Sequence, residues 1–189
     1  MNPFATLLDR HSTPSRQLGE PGPDPGQLLR MLEVAVHVPD HGRLAPWRFV
    51  RIAGAARAAL GEALALRLVE REPDASEARV SKERERFNHA PCVILVVSRP
   101  TRDHKAPESE QIQSGSCVCF ALLQAADALG LGAQWLTGWA AYDEQILRLL
   151  GVSAHERVLG FIHIGSAISP QPDRDRPDAA SLLTDWLPA

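Results

Sequence analysis

Two histidines four residues apart are the first residues of this sequence whose types and spacing suggest chemistry. His37 and His41 lie in "HVPDHGRLAPWRFV", with Pro39 between them. On a continuous helix this spacing would direct both imidazoles at one metal ion. Pro39 interrupts regular helix geometry before His41, and no HExxH pattern or nearby cysteine supplies further ligands. The pattern therefore favours a proline-stiffened loop over a metal site.

The sequence also lacks the usual patterns for covalent catalysis and dinucleotide binding. "SGSCV" is not a G-x-S-x-G elbow, and the only lysines, Lys82 and Lys105, stand in polar segments. "GLGAQW" has no third glycine and precedes a predicted strand, whereas a Rossmann fingerprint follows one. We therefore expect no nucleophilic or Schiff-base side chain.

What remains is a group of donors and apolar residues at the ends of predicted elements, here called the candidate set: Arg10, His11, Ser12, His37, His41, Trp135, Leu136 and Thr137. A cofactor with one phosphate and a flat apolar ring fits this combination. Guanidinium and hydroxyl groups bind phosphate, while apolar contact holds a ring that a few donors orient. Arg16 is close enough in sequence to join the set. Taken singly, Arg10 and Arg16 also fit a solvated surface, and Trp135 fits a core.

Composition limits the classes of protein to consider. With 189 residues and 44% hydrophobic residues, the chain is expected to form one domain over residues 1–189, comprising a core of 1–168 and a C-terminal arm of 169–189. The net charge of −3 and the dispersed basic residues argue against nucleic acid as a partner. No apolar run has the length of a membrane span, and the N-terminus lacks a signal-peptide pattern, so we expect no membrane partner and a cytoplasmic location.

Helical and strand patterns alternate along the chain and predict a sheet flanked by helices. Asn2 and Pro3 are expected to begin a first helix that runs to about residue 10. A second is expected from Asp24 and Pro25 to Pro39, with one apolar face formed by Leu28, Leu29, Leu32, Ala35 and Val36. Further helices are predicted over 55–72, 74–88, 109–129 and 143–150, and the charged helix 74–88 is expected chiefly as a solvated face. The segments "WRFVRI", "CVILVVS", "GAQWLTG" and "VLGFIHIGS" predict four strands, the second buried on both faces.

Two segments point towards contacts beyond a simple core. The longest predicted helix, 109–129, is apolar or small almost all round, which indicates burial in a core or between subunits, with Gly130 as its stop. Its two cysteines, like the third in "PCVILVV", are expected to be buried hydrophobes: Cys92, Cys117 and Cys119. The C-terminal arm ends in apolar side chains that need a surface to cover them: Leu182, Leu183, Trp186 and Leu187.

Several short segments in the same order resemble the FMN-dependent nitroreductase family, particularly its short bacterial branch. They are Arg10-His11-Ser12, Val38-Pro39-Asp40-His41 with Pro46-Trp47 and Phe49, His104-Lys105-Ala106-Pro107, Gly130 and Gly132 with Trp135, and "GFIHIGS". The resemblance covers most of the chain, from about residue 3 to about residue 168. It implies an α+β fold with a mixed sheet flanked by helices, an extended C-terminal arm and an obligate homodimer with two FMN molecules at the interface.

The resemblance also implies roles for the candidate set. Residues 10–12 would hold the phosphate and ribityl region, and residues 135–137 of the same subunit would line the flavin. His37 and His41 would approach the same FMN from the partner subunit. The stretch 125–130 matches a segment that this branch assigns to the nicotinamide dinucleotide.

The implied activity is NADH- or NADPH-driven reduction of nitroaromatic or quinone-type small molecules by ping-pong hydride transfer. Hydride would pass through flavin N5, so no side chain would be catalytic. The sequence departs from the branch where His11 and His37 stand at positions at which arginine is common, and where "STPSR" places Arg16 one residue late. Two alternatives remain open. One is a flavin-binding protein of the same fold without reductase turnover, as a carrier, sensor or flavin-fragmenting enzyme; the other is a helical interaction protein that binds no chromophore.

Overall fold

A computed structural model describes residues 4–188 and shows helices on both faces of one sheet. The helices are α1 (Ala5–Leu8), α2 (Pro25–Ala35), α3 (Ala55–Arg71), α4 (Glu77–Glu85), α5 (Glu108–Ala128) and α6 (Glu144–Leu149). The strands are β1 (Leu18–Gly19), β2 (Trp47–Ala53), β3 (Cys92–Ser98), β4 (Gly132–Leu136) and β5 (Arg157–Ala167). The four longer strands are those predicted from the sequence, and the α+β class is confirmed. The short β1 was not predicted.

The sheet is organised around β5, the longest strand. Strand β3 lies between β2 and β5, while β1 and β4 also pair with β5. All of these pairings between described strands are antiparallel, in contrast to the mixed sheet that was expected. Helices α3 and α4 connect β2 to β3, and α6 connects β4 to β5. In both cases the second strand runs antiparallel to the first, and no two described strands pair in parallel. Strand β4 therefore has β5 as its only strand partner within the described chain.

Strand β3 divides the interior into two cores, because its successive side chains point to opposite faces. Ile94 and Val96 pack with α2 and α5, whereas Val93 and Leu95 pack with α3 and the residues around α6. Every residue of β3 is buried, which confirms the prediction from its continuous apolar run.

Helix α2 begins with a capping box. The Asp24 side chain accepts the backbone N–H of Gln27, whose side chain accepts the backbone N–H of Asp24. The predicted apolar face is partly wrong. Leu28 and Ala35 are buried, but Met31 completes the inner face, and Leu29 and Val36 are exposed. The predicted cap of the first helix, Asn2 and Pro3, lies outside the described residues.

The charged helix α4 is less solvated than predicted, because Glu83 and, just beyond its end, Phe87 are buried. Helix α5 ends as predicted, with Gly130 in the left-handed region at φ 71°. It is buried on most sides but leaves one exposed stripe: Gln113, Cys117, Phe120 and Ala128. Cys117 is therefore exposed, which corrects the expectation that all three cysteines are buried, whereas Cys92 and Cys119 are buried. The cysteine falls on the face of α5 that the described residues leave exposed.

The four large apolar residues near the end of the C-terminal arm are 71–83% exposed in the single chain. These side chains were predicted to need a surface that covers them, and the described residues of this chain leave them exposed. Among the described residues, no helix is long and apolar enough to cross a membrane.

Candidate functional site

The first part of the candidate set lies along the edge of β4. The backbone N–H of Thr13 donates to the Ala133 carbonyl at 3.0 Å, and the backbone N–H of Ser15 donates to Gln134 Oε1 at 2.6 Å. These two bonds align residues 10–16 with the strand. As a result, Arg10 and Arg16 lie at opposite ends of one segment, whose last two residues begin a short 3-10 helix (Ser15–Gln17).

At the first end, Arg10 is held by local contacts but is incompletely satisfied. Its Nη1 donates to Ser12 Oγ at 3.3 Å, and its guanidinium carbon lies 5.8 Å from the ring centroid of Phe120. Its Nε is buried and has no hydrogen-bond partner among the described residues. A buried guanidinium N–H without a partner is costly, so this end suits an anion that accepts hydrogen bonds.

The C-terminal arm adds positive charge at the same end. Burial is the largest cause that lowers the pKa of Arg10, followed by repulsion from Arg176, while Asp127 opposes the shift and Arg174 adds to it. Arg174 and Arg176 therefore lie near enough for their charges to act on Arg10. The positive charge of the arm and the partly buried Arg10 together make this end favourable for an anion such as phosphate.

His11 ties the arm to this end of the site. Because a carboxylate only accepts, His11 Nε2–H donates to Asp173 Oδ1, at 2.6 Å. His11 also lines a cavity of about 230 Å³ with Asp127 and Gly130, at the last turn of α5. His11 thus contacts the arm in this structure.

At the other end of the segment, Arg16 opens into a cavity of about 440 Å³, here called the cationic cavity. Its lining combines α4 with the edge of β4: Pro14, Ser15, Arg16, Lys82, Glu83, Arg86, His89, Gln134 and Leu136. No side-chain hydrogen bond or ion pair joins Arg16 or Lys82 to another described residue. The cavity therefore offers cationic donors that are not already neutralised by a partner of their own.

The three residues 135–137, which were predicted to contact a flavin, do not share one face of the sheet. Leu136 lines the cationic cavity, whereas the Trp135 side chain packs against the core on the α2 and α5 side. Trp135 Nε1 donates to the Leu159 carbonyl at 2.9 Å, over Gly160, where any Cβ would collide with the indole. Thr137 follows the strand and is exposed. Trp135 thus contributes its backbone to this edge rather than its ring.

His37 and His41 lie away from the edge of β4. His41 Nδ1–H donates to Glu110 Oε2 at 2.7 Å, beside the first turn of α5, and His37 is exposed. The loop is shaped by Asp40, whose side chain accepts the backbone N–H groups of Leu44 and Ala45 at 3.2 and 2.8 Å. Among the described residues, no hydrogen bond or ion pair joins these two histidines to residues 10–12 of the same chain.

Sequence reasoning missed several residues of this arrangement. Lys82 and Arg86 are one helical turn apart in "SKERERF", which was interpreted as a solvated face, and Gln134 was passed over beside Trp135. Their i, i+4 spacing was a usable signal for a shared face, but not for what that face borders. Arg174 and Arg176 stand in a polar arm without periodicity, so no sequence signal marked them.

Together, the antiparallel sheet, the long α5 and the donor-lined edge of β4 define a known class. Residues 7–166 match the model of the nitroreductase family, and the chain belongs to that family. Among curated relatives, YdjA of Escherichia coli K12 is 29% identical over 166 residues, covering 88% of each chain, and a Haemophilus influenzae protein is 31% identical over 170 residues, covering 89% of this chain and 90% of that one. Both carry provisional names as NAD(P)H nitroreductases.

Solved structures show the same fold at lower identity. A nitroreductase-like family protein from Bacillus cereus superposes with a TM-score of 0.80 at 20% identity, covering 95% of this chain and 93% of that one. A protein from Desulfovibrio desulfuricans, provisionally named a nitroreductase and solved in complex with FMN, gives a TM-score of 0.74 at 22% identity, covering 100% and 99%. At these identities the structures support the fold.

Proposed function

We propose that this protein is an FMN-dependent oxidoreductase that uses NADH or NADPH to reduce nitroaromatic or quinone-type small molecules. The observation that carries the proposal is the segment 10–16, which lies beside β4 and leads from Arg10 to the cationic cavity. FMN is an anion at one end and a flat ring at the other, and the two ends of the segment match that division. Family membership and the FMN complex of a structural relative support the same cofactor.

The proposed phosphate end is supported by a donor without a partner and by nearby positive charge. Arg10 has a buried Nε without a partner among the described residues, and Arg174 and Arg176 add charge nearby. A phosphate would accept from Arg10 and from the Ser12 hydroxyl, and would offset the mutual repulsion of the arginines. These residues therefore fit the phosphate of FMN, with His11 holding the arm that carries two of the arginines.

The ring end is supported by the cationic cavity. When bound, FMN would supply the hydride chemistry, taking reducing equivalents from NAD(P)H and passing them to the acceptor. Arg16, Lys82 and Arg86 would stabilise negative charge that builds up on the ring as it is reduced, since cationic donors in a partly enclosed site act more strongly than in water. Gln134 already accepts from Ser15 and keeps its amide N–H groups as donors. No side chain is required as a nucleophile.

The remaining members of the candidate set support a homodimer. Glu110, next to His41, and Asp127, which shares a cavity with His11, are about 25 Å apart along α5 at 1.5 Å per residue. One FMN within one chain could not contact both histidines. We propose that His37 and His41 serve the FMN of the partner subunit, with the exposed stripe of α5 at the interface, so that each site is completed by two chains.

The experiment is a titration of the purified protein with FMN, followed by anaerobic addition of NADH and of NADPH. The expected result is a yellow protein that bleaches with at least one nicotinamide and is reoxidised by a nitroaromatic or a quinone. The variant Arg10→Met should weaken FMN binding about tenfold or more, since it removes charge-assisted hydrogen bonds. Arg79→Met, at an exposed arginine paired with Glu72, serves as the matched control.

Two outcomes would contradict the proposal at different levels. A wild-type protein that stays colourless with excess FMN would overturn the cofactor and the function together. A yellow protein that neither nicotinamide reduces would leave a flavin-binding protein without reductase turnover.

A further inference from the structure

Glu83 is a buried carboxylate on a helix whose other charged residues face solvent. The residue is 8% exposed, although α4 is the most polar helix of the described chain. Its Oε2 accepts from two donors, Arg86 Nη1 at 2.8 Å and the indole Nε1 of Trp139 at 3.1 Å. A carboxylate that accepts two hydrogen bonds in a buried position is fixed in orientation, and it fixes its partners in turn.

Trp139 and Arg86 make further contacts that restrict their side-chain conformations. One face of the Trp139 ring is covered by Arg71, whose guanidinium carbon lies 4.9 Å from the ring centroid. Gly138 lies against the Arg86 guanidinium: a Cβ at this position would come within 2.9 Å of Arg86 Nη2, and its φ of 100° favours glycine. Glu83 and Gly138 thus contact the Arg86 guanidinium, Trp139 holds Glu83 in place, and we call these three residues the Arg86 clamp.

The clamp distinguishes Arg86 from the other cations that line the cationic cavity. Arg16 and Lys82 are exposed and have no partner among the described residues, so their side chains can take many rotamers. Ordering a long basic side chain when a ligand binds costs conformational entropy, and a side chain held in advance avoids most of that cost. Arg86 therefore offers an oriented donor where Arg16 and Lys82 offer mobile charges.

We propose that Glu83 and Trp139 are positioning residues, which hold Arg86 so that its remaining N–H groups face the carbonyl-bearing end of the flavin ring. This inference rests on the proposed function, because it assumes that FMN occupies the cationic cavity. It adds a second effect: the Glu83 carboxylate offsets part of the positive charge that the ring experiences. The clamp thereby sets both the geometry and the net charge at one end of the cofactor.

The geometric effect is tested by a double-mutant cycle on FMN affinity. Arg86→Met should raise the dissociation constant of FMN about tenfold or more, and Trp139→Phe should raise it about threefold, because the phenyl ring cannot donate to Glu83. Since Trp139 acts through Arg86, the double variant should bind FMN no more weakly than Arg86→Met alone. Trp186→Phe, in the exposed arm, is the control. Independent effects that multiply in the double variant would overturn the positioning role.

The electrostatic effect is tested by the midpoint potential of the bound flavin. Glu83→Gln keeps the shape of the side chain and an accepting oxygen but removes a negative charge, so reduction should become easier and the potential should shift to more positive values. Arg86→Met should shift it in the opposite direction. Glu85→Gln makes the same charge change at an exposed position of the same helix. Equal potentials for Glu83→Gln and Glu85→Gln would overturn this part of the inference.

A third measurement examines the clamp without flavin. Phenylglyoxal modifies accessible guanidinium groups, and mass spectrometry of peptides can follow Arg86 against Arg84, an internal reference paired with Glu62. Trp139→Phe and Glu83→Gln should each accelerate modification of Arg86 severalfold and leave Arg84 unchanged. If wild-type protein binds no FMN, the proposed function fails, but this measurement still decides whether the clamp exists. Unchanged reactivity of Arg86 in both variants would overturn it.

Discussion

His11 and His41 lie at opposite ends of helix α5. His11 shares a cavity with Asp127 in the last turn, and His41 donates to Glu110 in the first. The helix between these contacts is about 25 Å long and buried on most of its surface, so it cannot bend to bring the two histidines together. Any small ligand that contacts both must take one from each of two chains.

This geometry predicts complementation between defective subunits. Arg10→Ala and His41→Ala should each weaken FMN binding in their own homodimers, because each variant damages every site. When the two are unfolded and refolded together, half of the dimers should be mixed, and each mixed dimer should carry one site built from undamaged residues. Roughly a quarter of all sites should then regain wild-type affinity. The measurement is FMN bound at a concentration at which neither variant alone is occupied.

The control for that mixture is a pair that damages the same half of the site. Arg10→Ala refolded with Ser12→Ala cannot produce an undamaged site in any dimer, so no affinity should return. Recovery in this control, or its absence in the first mixture, would contradict a site shared between chains.

The exposed stripe of α5 predicts where two chains would meet in the proposed homodimer. Phe120 is 47% exposed at its centre, and Glu in its place would put a charge into an apolar contact. Phe120→Glu should therefore give a monomer in sedimentation velocity and should lose FMN as well. Leu66→Glu makes the same kind of change at an exposed leucine of α3 and should leave the assembly intact. A Phe120→Glu protein that sediments as wild type would place the interface elsewhere.

Elements with a strong local signal could be predicted from the sequence, and the structure explains why. The continuous apolar run of β3 is buried on both sides, Asp24 and Gln27 form the capping box that begins α2, and Gly130 ends α5 in the left-handed region. Each of these depends on residues close together in the chain. The pairing directions of the sheet depend on distant segments, and there the expected mixed sheet differed from the antiparallel one observed.

The site was harder to predict because its residues meet across long separations. Lys82 and Arg86 border β4 only because α4 packs beside that strand, and Arg174 and Arg176 reach Arg10 only through the course of the arm. One error was avoidable. Side chains alternate along a strand, so the Trp135 and Leu136 side chains lie on opposite sides of the sheet, and only that of Leu136 lines the cationic cavity.

Buried His163 predicts sensitivity to mild acid. Its ring stacks on that of Phe87, with 5.4 Å between the ring centroids. Burial lowers the pKa of His163 to about 4, and the charges of Arg86 and His89 lower it by smaller amounts. The unfolded chain, with a pKa near 6.5, binds the proton first, so the free energy of unfolding should fall as the pH drops from about 6.5 towards about 4. The slope from this residue is at most about 1.4 kcal/mol per pH unit. His163→Met should flatten the dependence in urea titrations, whereas a change at the exposed His155 should not. A His163→Met protein with the wild-type slope would assign the acid sensitivity to other groups.

The ion pair between Arg48 and Glu156 predicts a second, more acidic transition. Arg48 Nε and Nη2 donate to the two carboxylate oxygens at 2.7 and 2.8 Å, and the Glu156 side chain is 6% exposed. The hydrogen bond from Arg48, followed in the same direction by the backbone N–H of Ser153, lowers the pKa of Glu156 to about 2 against the opposing effect of burial. A lowered carboxyl pKa stabilises the fold above the unfolded value near 4.5, and this contribution is lost as the pH falls through about 2.

Glu156→Gln should therefore lower the free energy of unfolding by about 2 kcal/mol at neutral pH, the range for a lost hydrogen bond to a charged group. The difference from wild type should shrink as the pH falls from about 4.5 to about 2. Glu144→Gln, at a side chain that is 87% exposed and pairs with Arg148 at 3.5 Å, should change the stability by less than about 0.5 kcal/mol at any pH. If the Glu156→Gln deficit stayed constant down to pH 2, its origin would be the packing of the amide and not the lost charge.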